Sequence, residues 1–193
     1  MNQPNLTIIS ESILSIQASF DRIAEDLITN WNLKVNDTLF TFTELEFYFF
    51  KYNIHEDNAT HEHDYGEGKW RFHLQGLDIT FPTADNSDGG ILLRGIKSEK
   101  EFINGPKRVL TTIFRKMNPV SEIHNQFGLV PAQEKQDIII YKTLRHGLSK
   151  SQGNEFKDSF YRYYTDIDFW NPKHVGATDK DRIKRKSVIL KLK

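Results

Sequence analysis

One aromatic and acidic segment, residues 40–50, places the strongest constraint on how this chain folds. Its sequence, F-T-F-T-E-L-E-F-Y-F-F, favours an extended strand, because aromatic and β-branched side chains pack well on a pleated sheet. Successive side chains of a strand lie on opposite faces, so Glu44, Glu46 and Tyr48 share one face and the apolar residues between them share the other. Two carboxylates on so apolar a strand are costly to bury without partners. The segment therefore indicates either a solvated glutamate face or a functional site.

The composition favours one packed domain and excludes several kinds of site. Of 193 residues, 38% are hydrophobic and 12% aromatic, which is typical of a globular core rather than of disorder. The 26 basic and 26 acidic residues cancel, so the strong basic excess of many nucleic-acid binders is missing from the totals. The absence of cysteine excludes disulfides and thiolate metal sites. With no long apolar run and no signal-like start, we expect a cytoplasmic protein with no membrane partner.

The hydrophobic pattern predicts the order of the secondary structure. A helix is expected from the apolar residues that recur at spacings of three and four between residues 13 and 28. A second helix is expected after Pro106, which suits a first helical position, and a short one at residues 120–127. A turn is expected at residues 82–90. Strands are expected at residues 40–50, 70–81, 91–96, 138–141 and 160–170.

This order predicts a single α+β domain with a mostly antiparallel, curved sheet flanked by helices. We divide the chain into a helical lead packed on the core at residues 1–36, a main domain at residues 37–172 and a basic tail at residues 173–193. The end of that tail, residues 180–193, holds seven Lys or Arg against one Asp.

A change of register marks the strand at residues 70–81. Its apolar residues stand at even positions before Gly76 and at odd positions after it, so we expect a bulge or tight bend at this glycine. With that bend, His73, Gln75 and Asp78 share one polar face.

Arg94 is a buried charge that needs a partner. It stands in the apolar strand at residues 91–96, and a guanidinium there requires a carboxylate or a phosphate. One interpretation is a core ion pair with Glu44, Glu46 or Asp78. The other is that Arg94 orients a catalytic carboxylate or holds a substrate phosphate.

Five segments, in the same order, resemble the alkyladenine (3-methyladenine) DNA glycosylases. Residues 43–48 are similar to the E-T-E-A-Y strand of that family, residues 57–61 to its D-x-A-x-H loop, residues 68–76 to an aromatic strand ending in glycine, residues 90–94 to a strand ending in L-[LI]-R, and residues 104–107 to a G-P-x-K/L helix start. Residues 145–148 and 161–164 resemble closing R-x-G and R-F-Y segments. The resemblance spans residues 40–170 and depends on the common order of short motifs.

The resemblance implies a site and a fold. It implies the fold of that family, which is like a formyltransferase C-terminal domain. It assigns Glu46 as the catalytic carboxylate, with Arg94 in the same active site. The base would stack between Tyr48 and Phe72, and His61 would contact it.

Further positions follow from the same alignment. Gln75 stands where the family has a bulky wedge that fills the space left by a flipped nucleotide. The pocket asparagine of the family is missing, and Asp78 is the nearest polar residue, with His73 on the same face. Three further residues are assigned to the DNA backbone, namely Gly105, Lys107 and Arg108.

The chemistry expected of such a site needs these residue types. Cleavage of a base–sugar bond builds positive charge on the sugar, which a nearby carboxylate stabilises. The same carboxylate, at Glu46, can deprotonate water. We therefore expect a monofunctional, monomeric glycosylase that flips an alkylated purine out of double-stranded DNA and uses no cofactor or metal.

Two alternatives remain open from the residues alone. The first is a nucleic-acid-binding module of the same fold that has lost or changed the reaction, which Gln75 and the missing asparagine motivate. The second is a metal-dependent hydrolase that uses His61 and His63, because imidazoles with a neighbouring carboxylate are common metal ligands.

Overall fold

An open sheet of eleven strands organises the part of the protein that this computed structural model describes, residues 3–81, 87–148 and 155–190. The strands are β1 Trp31–Val35, β2 Thr38–Lys51, β3 His55–Glu56, β4 Trp70–His73, β5 Gly76–Thr80, β6 Ser87–Lys97, β7 Phe102–Asn104, β8 Phe127–Pro131, β9 Tyr141–Thr143, β10 Arg162–Tyr164 and β11 Val188–Ile189. Their order is β11-β9-β10-β2-β6-β5-β4, with β1 and β3 paired to β2, β7 to β6 and β8 to β1. Every pairing is antiparallel.

Three helices accompany the sheet in the described residues: α1 Ile13–Asn30, α2 Pro106–Arg115 and α3 Ala177–Arg185. The first begins at a reciprocal cap, in which Ser12 and Ser15 each bond the backbone N–H of the other. The prediction of a single α+β domain with a mostly antiparallel sheet is confirmed.

The core lies between α1 and one face of β2. Phe20 of α1 packs on Phe47 of β2, with ring centroids 4.9 Å apart, and Phe81 lies 6.3 Å from Phe20 on the same side. Leu45 and Phe47 are completely buried on this face. The alternation read from the sequence therefore holds, and the acidic residues of β2 point to the other face.

The prediction of a bend at Gly76 is confirmed as a tight hairpin. β4 and β5 pair so that His73 lies opposite Gly76, and Gly76 has φ 157°. A Cβ at this position would come within 2.9 Å of Pro106 Cβ, so the start of α2 also requires glycine here.

The prediction of a short helix at residues 120–127 is wrong. In its place Asn36 donates from its side chain to the Lys116 carbonyl at 2.8 Å, and its side-chain oxygen accepts the Gln126 N–H at 2.8 Å. Val120 and Ile123 are both exposed, so they offer no apolar face for a helix to bury. The chain then forms β8, which pairs with β1.

Other predicted boundaries differ from the structure. The strand expected at residues 160–170 is the short β10, after which a 3₁₀ turn at Ile167–Phe169 packs Trp170 into a small second cluster. Residues 31–35, read as the end of the lead, form β1. The turn expected at residues 82–90 falls partly on residues 82–86, which lie outside the described residues, while residues 87–90 already belong to β6.

The basic C-terminal segment has regular structure. Its described part contains α3 and β11, and β11 pairs with β9 at the end of the sheet. No helix in the described ranges is long and apolar enough to cross a membrane.

Candidate functional site

An open cavity of about 510 Å³ lies on the face of the sheet that points away from α1. Its described lining consists of Tyr48, Ala59, Thr60, His61, His63, Arg71, His73, Gln75, Asp78, Gly89, Gly90, Leu92, Arg94, Pro106, His146, Gly147 and Leu148. Strands β2, β4, β5 and β6 supply its floor, and the loops after β3 and β9 supply its walls.

Strand register explains which side chains reach the floor. Directly opposed residues of an antiparallel pair project to the same face. Asp78 lies opposite Arg71 on one side and Leu92 on the other, and all three line the cavity. Arg94 reaches the same face because it stands two residues after Leu92.

A buried cluster of charges lies beside this floor. One oxygen of Glu44 accepts hydrogen bonds from Arg94 Nε at 2.8 Å and from Arg162 Nε at 2.7 Å. Burial alone would raise the pKa of Glu44, but Arg162 and Arg94 together hold this pKa below its ordinary value. Burial opposes the charge of Arg94, yet the carboxylates of Glu46 and Glu44 raise its pKa above the ordinary value. Glu44 and Arg94 therefore remain ionised near neutral pH.

Glu46 lies beneath the cavity rather than on its surface. Its side chain is completely buried, and Oε1 accepts a hydrogen bond from the Tyr48 hydroxyl. Oε2 lies 3.1 Å from Arg94 Nε, without the alignment of a hydrogen bond, and it has no hydrogen-bond partner within the described residues. Burial and the Glu46 carboxylate raise the pKa of the Tyr48 phenol, so this hydroxyl stays a donor at physiological pH. A carboxylate with one free oxygen therefore lies directly below two lining residues.

A second buried ion pair fixes the wall of the cavity. Arg145 and Asp57 form a two-point pair with no exposed side-chain surface, and the second contact is 3.0 Å. Arg145 also donates to the carbonyl of Phe156 at 2.9 Å. Because Asp57 opens the loop that carries Thr60 and His61, this pair positions that loop against the sheet.

The polar hairpin β4–β5 forms the opposite wall. Arg71 donates to Asp78 Oδ2 at 3.2 Å. His73 Nε2 lies 3.0 Å from Asp78 Oδ1 but is not aligned for a hydrogen bond, and its Nδ1 accepts the Gln75 N–H at 3.3 Å. These contacts hold His73 and Gln75 at the edge of the cavity.

The structure brings most of the residues expected at the site together. Six of them line the cavity, namely Tyr48, His61, His73, Gln75, Asp78 and Arg94. Of the backbone-contact candidates, Gly105 precedes α2, and Lys107 and Arg108 are exposed in its first turn, next to the lining residue Pro106. The ion-pair interpretation of Arg94 holds for Glu44 and Glu46, while Asp78 pairs with Arg71 instead.

Phe72 does not face the cavity, so its expected stacking position is wrong. It lies between Arg71 and His73, and alternation turns it to the other side of β4. There its ring packs on Phe114 of α2 at 5.8 Å and on Phe127 of β8 at 5.9 Å. The solvated glutamate face considered for β2 is also wrong, since Glu44 and Glu46 are both buried.

Arg71 and His146 were given no role at the site from the sequence, and His63 was considered only as a metal ligand. Arg71 shares the face of His73, which strand alternation alone would have shown. His63 bonds the Gly89 carbonyl through Nε2 at 2.8 Å, and His146 reaches the cavity from the loop after β9. Partial burial, together with Arg94 and Arg162, lowers the pKa of His146. These contacts span distant parts of the chain, and no local pattern signals them.

The charge cluster makes stability depend on pH. The pKa of Glu44 is lowered in the folded protein. As the pH falls below the ordinary glutamate pKa of 4.5, the Glu44 carboxylate therefore takes up a proton more readily in the unfolded chain than in the folded protein. The stabilisation that ionised Glu44 gives to the folded protein is therefore complete above pH 4.5, and it is lost as the pH falls through the lower pKa of Glu44 in the folded protein. We expect the urea midpoint of the wild type to drop more steeply between about pH 6 and pH 3 than that of Glu44→Gln. Parallel curves for the two proteins would contradict this reading of the cluster.

Neither metal ligation nor known relatives add to this description. No group of three or more His, Cys, Asp or Glu side chains in the described part of the chain is arranged to hold a metal ion. Comparisons with protein-family models, with curated proteins and with solved structures find no match to this chain.

Proposed function

We propose that the protein is a DNA glycosylase that hydrolyses the N-glycosidic bond of a damaged purine, and that Glu46 is its catalytic carboxylate. The observation that carries the proposal is the buried Glu46, which lies under the cavity between the Tyr48 hydroxyl and Arg94. The cavity volume of about 510 Å³ suits a single small ring system and its sugar. The resemblance in motif order supports the same assignment, with alkylated purines as the implied substrates and a glycosylase-like fold.

In the proposed hydrolysis the cavity, Glu46 and Arg94 have separate roles. The flipped nucleotide would place its base in the cavity and its sugar over Glu46. As the bond from C1′ to the base breaks, the base takes the bonding electrons, and the carboxylate stabilises the positive charge on the sugar. Water adds its oxygen to C1′ and gives a proton to Glu46. Arg94 would fix the orientation of Glu46 before this step.

Access to Glu46 requires Tyr48 to move. The Tyr48 hydroxyl covers Oε1 in the free protein, and Glu46 has no exposed surface. Binding of the nucleotide is therefore expected to release this hydrogen bond, since hydrogen bonds of a site often rearrange when substrate binds.

Contacts with DNA would surround the cavity. Lys107 and Arg108 are exposed in the first turn of α2, where the backbone N–H groups also favour an anion. Such contacts would position phosphates without reading sequence. We further propose that the protein acts as a monomer, in the cytoplasm.

Leu74 is better placed than Gln75 to fill the space left by a flipped nucleotide. It is 86% exposed at the tip of the β4–β5 hairpin, next to the cavity, whereas Gln75 lines the cavity itself. Exposed apolar side chains are the usual wedges between base pairs. We expect Leu74→Ala to slow excision from double-stranded DNA by about tenfold and to have little effect on single strands.

Leu14→Ala is a suitable control for that measurement. Leu14 is 77% exposed on α1, which packs on the opposite face of the sheet, so its replacement should leave both rates unchanged. A larger loss with Gln75→Ala than with Leu74→Ala would contradict the assignment.

The direct test is formation of abasic sites. The purified protein is incubated with duplexes that carry one damaged purine and with an undamaged duplex of the same sequence, and alkali-sensitive breaks are counted. We expect breaks only at the lesion, with the same yield in the presence of a chelator. Loss of activity on chelation would favour the metal-dependent alternative, and no breaks at any lesion would contradict the proposal.

One observation favours the second candidate, a binding module without catalysis. Glu46 is completely buried, and its contacts with Tyr48 and Arg94 also suit a purely structural ion pair. Such a protein would bind lesion-bearing duplex with a Kd that does not change in Glu46→Gln, and it would never release a base.

A further inference from the structure

A row of four aromatic side chains lies on the face of β4 that points away from the cavity. Trp70 packs on Phe127 with ring centroids 4.7 Å apart. Phe72 packs on Phe127 at 5.9 Å and on Phe114 of α2 at 5.8 Å. The outer end of the row lies in solvent, because Phe72 is 43% exposed and Phe114 51%. Adjoining apolar side chains that stay exposed are typical of an interaction surface.

Phe114 ends this row with one open face. Its ring is nearly parallel to that of Phe72, with 21° between the two planes, and it contacts no other aromatic ring in the described residues. Phe72 covers one side of the ring and half of Phe114 is exposed, so the other side is open to a planar group. Because Phe72 already holds the ring in place, a ligand that stacks on it orders little further structure.

α2 and the residue that follows it add four positive charges beside these rings. They are Lys107, Arg108, Arg115 and Lys116, which are all exposed, and residues 102–121 contain no Asp or Glu. Within the described ranges, none of the four forms an ion pair with a carboxylate. The whole chain has no net charge, so positive charge is concentrated locally here. This surface therefore attracts an anionic partner.

Helical spacing places part of this charge and the open ring on one stripe. Four exposed residues stand at positions i, i+4, i+7 and i+8, which share one face of a helix: Lys107, Thr111, Phe114 and Arg115. We call them the α2 stripe. From Lys107 to Phe114 it is about 10 Å long, at 1.5 Å per residue. It begins next to Pro106, which lines the cavity, so the stripe leads away from the rim of the cavity.

We propose that the α2 stripe binds a single-stranded stretch of DNA outside the cavity. An unpaired base would stack on Phe114, and the cations of the stripe would contact the flanking phosphates. The bases of a duplex cover one another's faces, so the open ring favours unpaired nucleotides. An acidic peptide would match the charge but would leave the ring without a planar partner. The choice of DNA over RNA rests on the proposed function, whereas the surface itself lies outside the site of that reaction.

Binding of undamaged oligonucleotides tests the proposal without base release. The intact protein is titrated into labelled oligothymidine of about eight nucleotides and into an abasic oligomer of the same length, and fluorescence anisotropy is recorded. The two ligands carry the same phosphates, but only oligothymidine has bases to stack. We expect the Kd of oligothymidine to be at least about tenfold lower. Equal Kd values, or no binding of oligothymidine, would overturn the proposal whether or not the protein excises bases.

Phe114→Leu removes the ring and keeps an apolar side chain. It should raise the Kd of oligothymidine about tenfold and leave that of the abasic oligomer unchanged. Phe169→Leu is the matched control, because Phe169 is 70% exposed and stacks on Phe102 in a similar pair, but lies in a surface that also contains Asp168. The control should change neither Kd. If folded Phe114→Leu binds oligothymidine like the wild type, or loses no more affinity than the control, the proposal is wrong.

Arg115→Gln tests the contribution of charge. Each phosphate contact to a single strand contributes about 0.7 to the slope of log K against log salt concentration. Loss of Arg115 should therefore reduce the steepness of this slope by about 0.7, to the same extent for oligothymidine and for the abasic oligomer. An unchanged slope for both would show that the α2 stripe does not contact the phosphates, against the proposal.

Two competitors test the identity of the occupant. Oligoglutamate and oligouridine, each as long as the labelled oligothymidine, are added to the preformed complex. We expect oligoglutamate to displace oligothymidine poorly, because it offers no ring to Phe114, and oligouridine to displace it no better than unlabelled oligothymidine. Efficient displacement by oligoglutamate would identify an acidic peptide as the partner, and better displacement by oligouridine would identify RNA. Either result would contradict the assignment to single-stranded DNA.

Discussion

Glu46→Gln should abolish base release while the protein stays folded. Glutamine has the shape of glutamate and keeps an oxygen for the Tyr48 hydroxyl, but it neither stabilises positive charge on the sugar nor accepts a proton from water. Loss of these two effects should lower the single-turnover rate by about 10³-fold or more. The measurement is release of free base from a duplex with one damaged purine, under excess protein.

The matched control for this variant is Glu99→Gln. Glu99 is exposed and outside the cavity, so its replacement should leave the rate unchanged. Melting curves of both variants show whether each is folded. Full activity in a folded Glu46→Gln would exclude Glu46 as the catalyst.

Arg145→Met should produce the largest loss of stability. It leaves Asp57 as an uncompensated charge at a site with no exposed side-chain surface. Breaking a buried pair by removing one partner typically costs about 3–5 kcal/mol. Urea unfolding should show a loss in this range in the free energy of unfolding.

The exposed pair of Arg182 and Asp179 provides the control. Both side chains are more than half exposed, so Arg182→Met should change the free energy of unfolding by less than about 1 kcal/mol. Replacing both members of the buried pair, with Asp57→Asn added to Arg145→Met, should recover part of the loss. If Arg145→Met lowers the free energy of unfolding by as little as Arg182→Met does, the buried pair does not fix the wall of the cavity.

Strand alternation made the central part of the fold predictable. In β2 the pattern of Leu45, Glu46, Phe47 and Tyr48 gave the correct faces, because the period of a strand is fixed by its backbone. The helix expected at residues 120–127 failed for a different reason. Side-chain bonds from Asn36, which is distant in the chain, hold that segment, and local propensity does not report such contacts.

The site was predictable only where it follows the strands. Arg94 was recognised as a buried charge, and two of its three candidate partners, Glu44 and Glu46, are the carboxylates that it contacts. Phe72 was misplaced because motif order fixes a position along the chain but not the face to which it points. Arg145 and His146 were quoted in a motif without a role, since their contacts with Asp57 and with the cavity depend on how distant loops meet.

The role of the cavity and of Glu46 is tested most directly by a crystal structure of Glu46→Gln bound to duplex DNA with one damaged purine. We expect the damaged base in the cavity above Tyr48, the Tyr48 hydroxyl released from residue 46, and a water between that residue and C1′. The water should lie about 3–3.5 Å from C1′, as in a near-attack arrangement. A damaged base that stays stacked in the duplex, or that binds away from the cavity, would contradict the account.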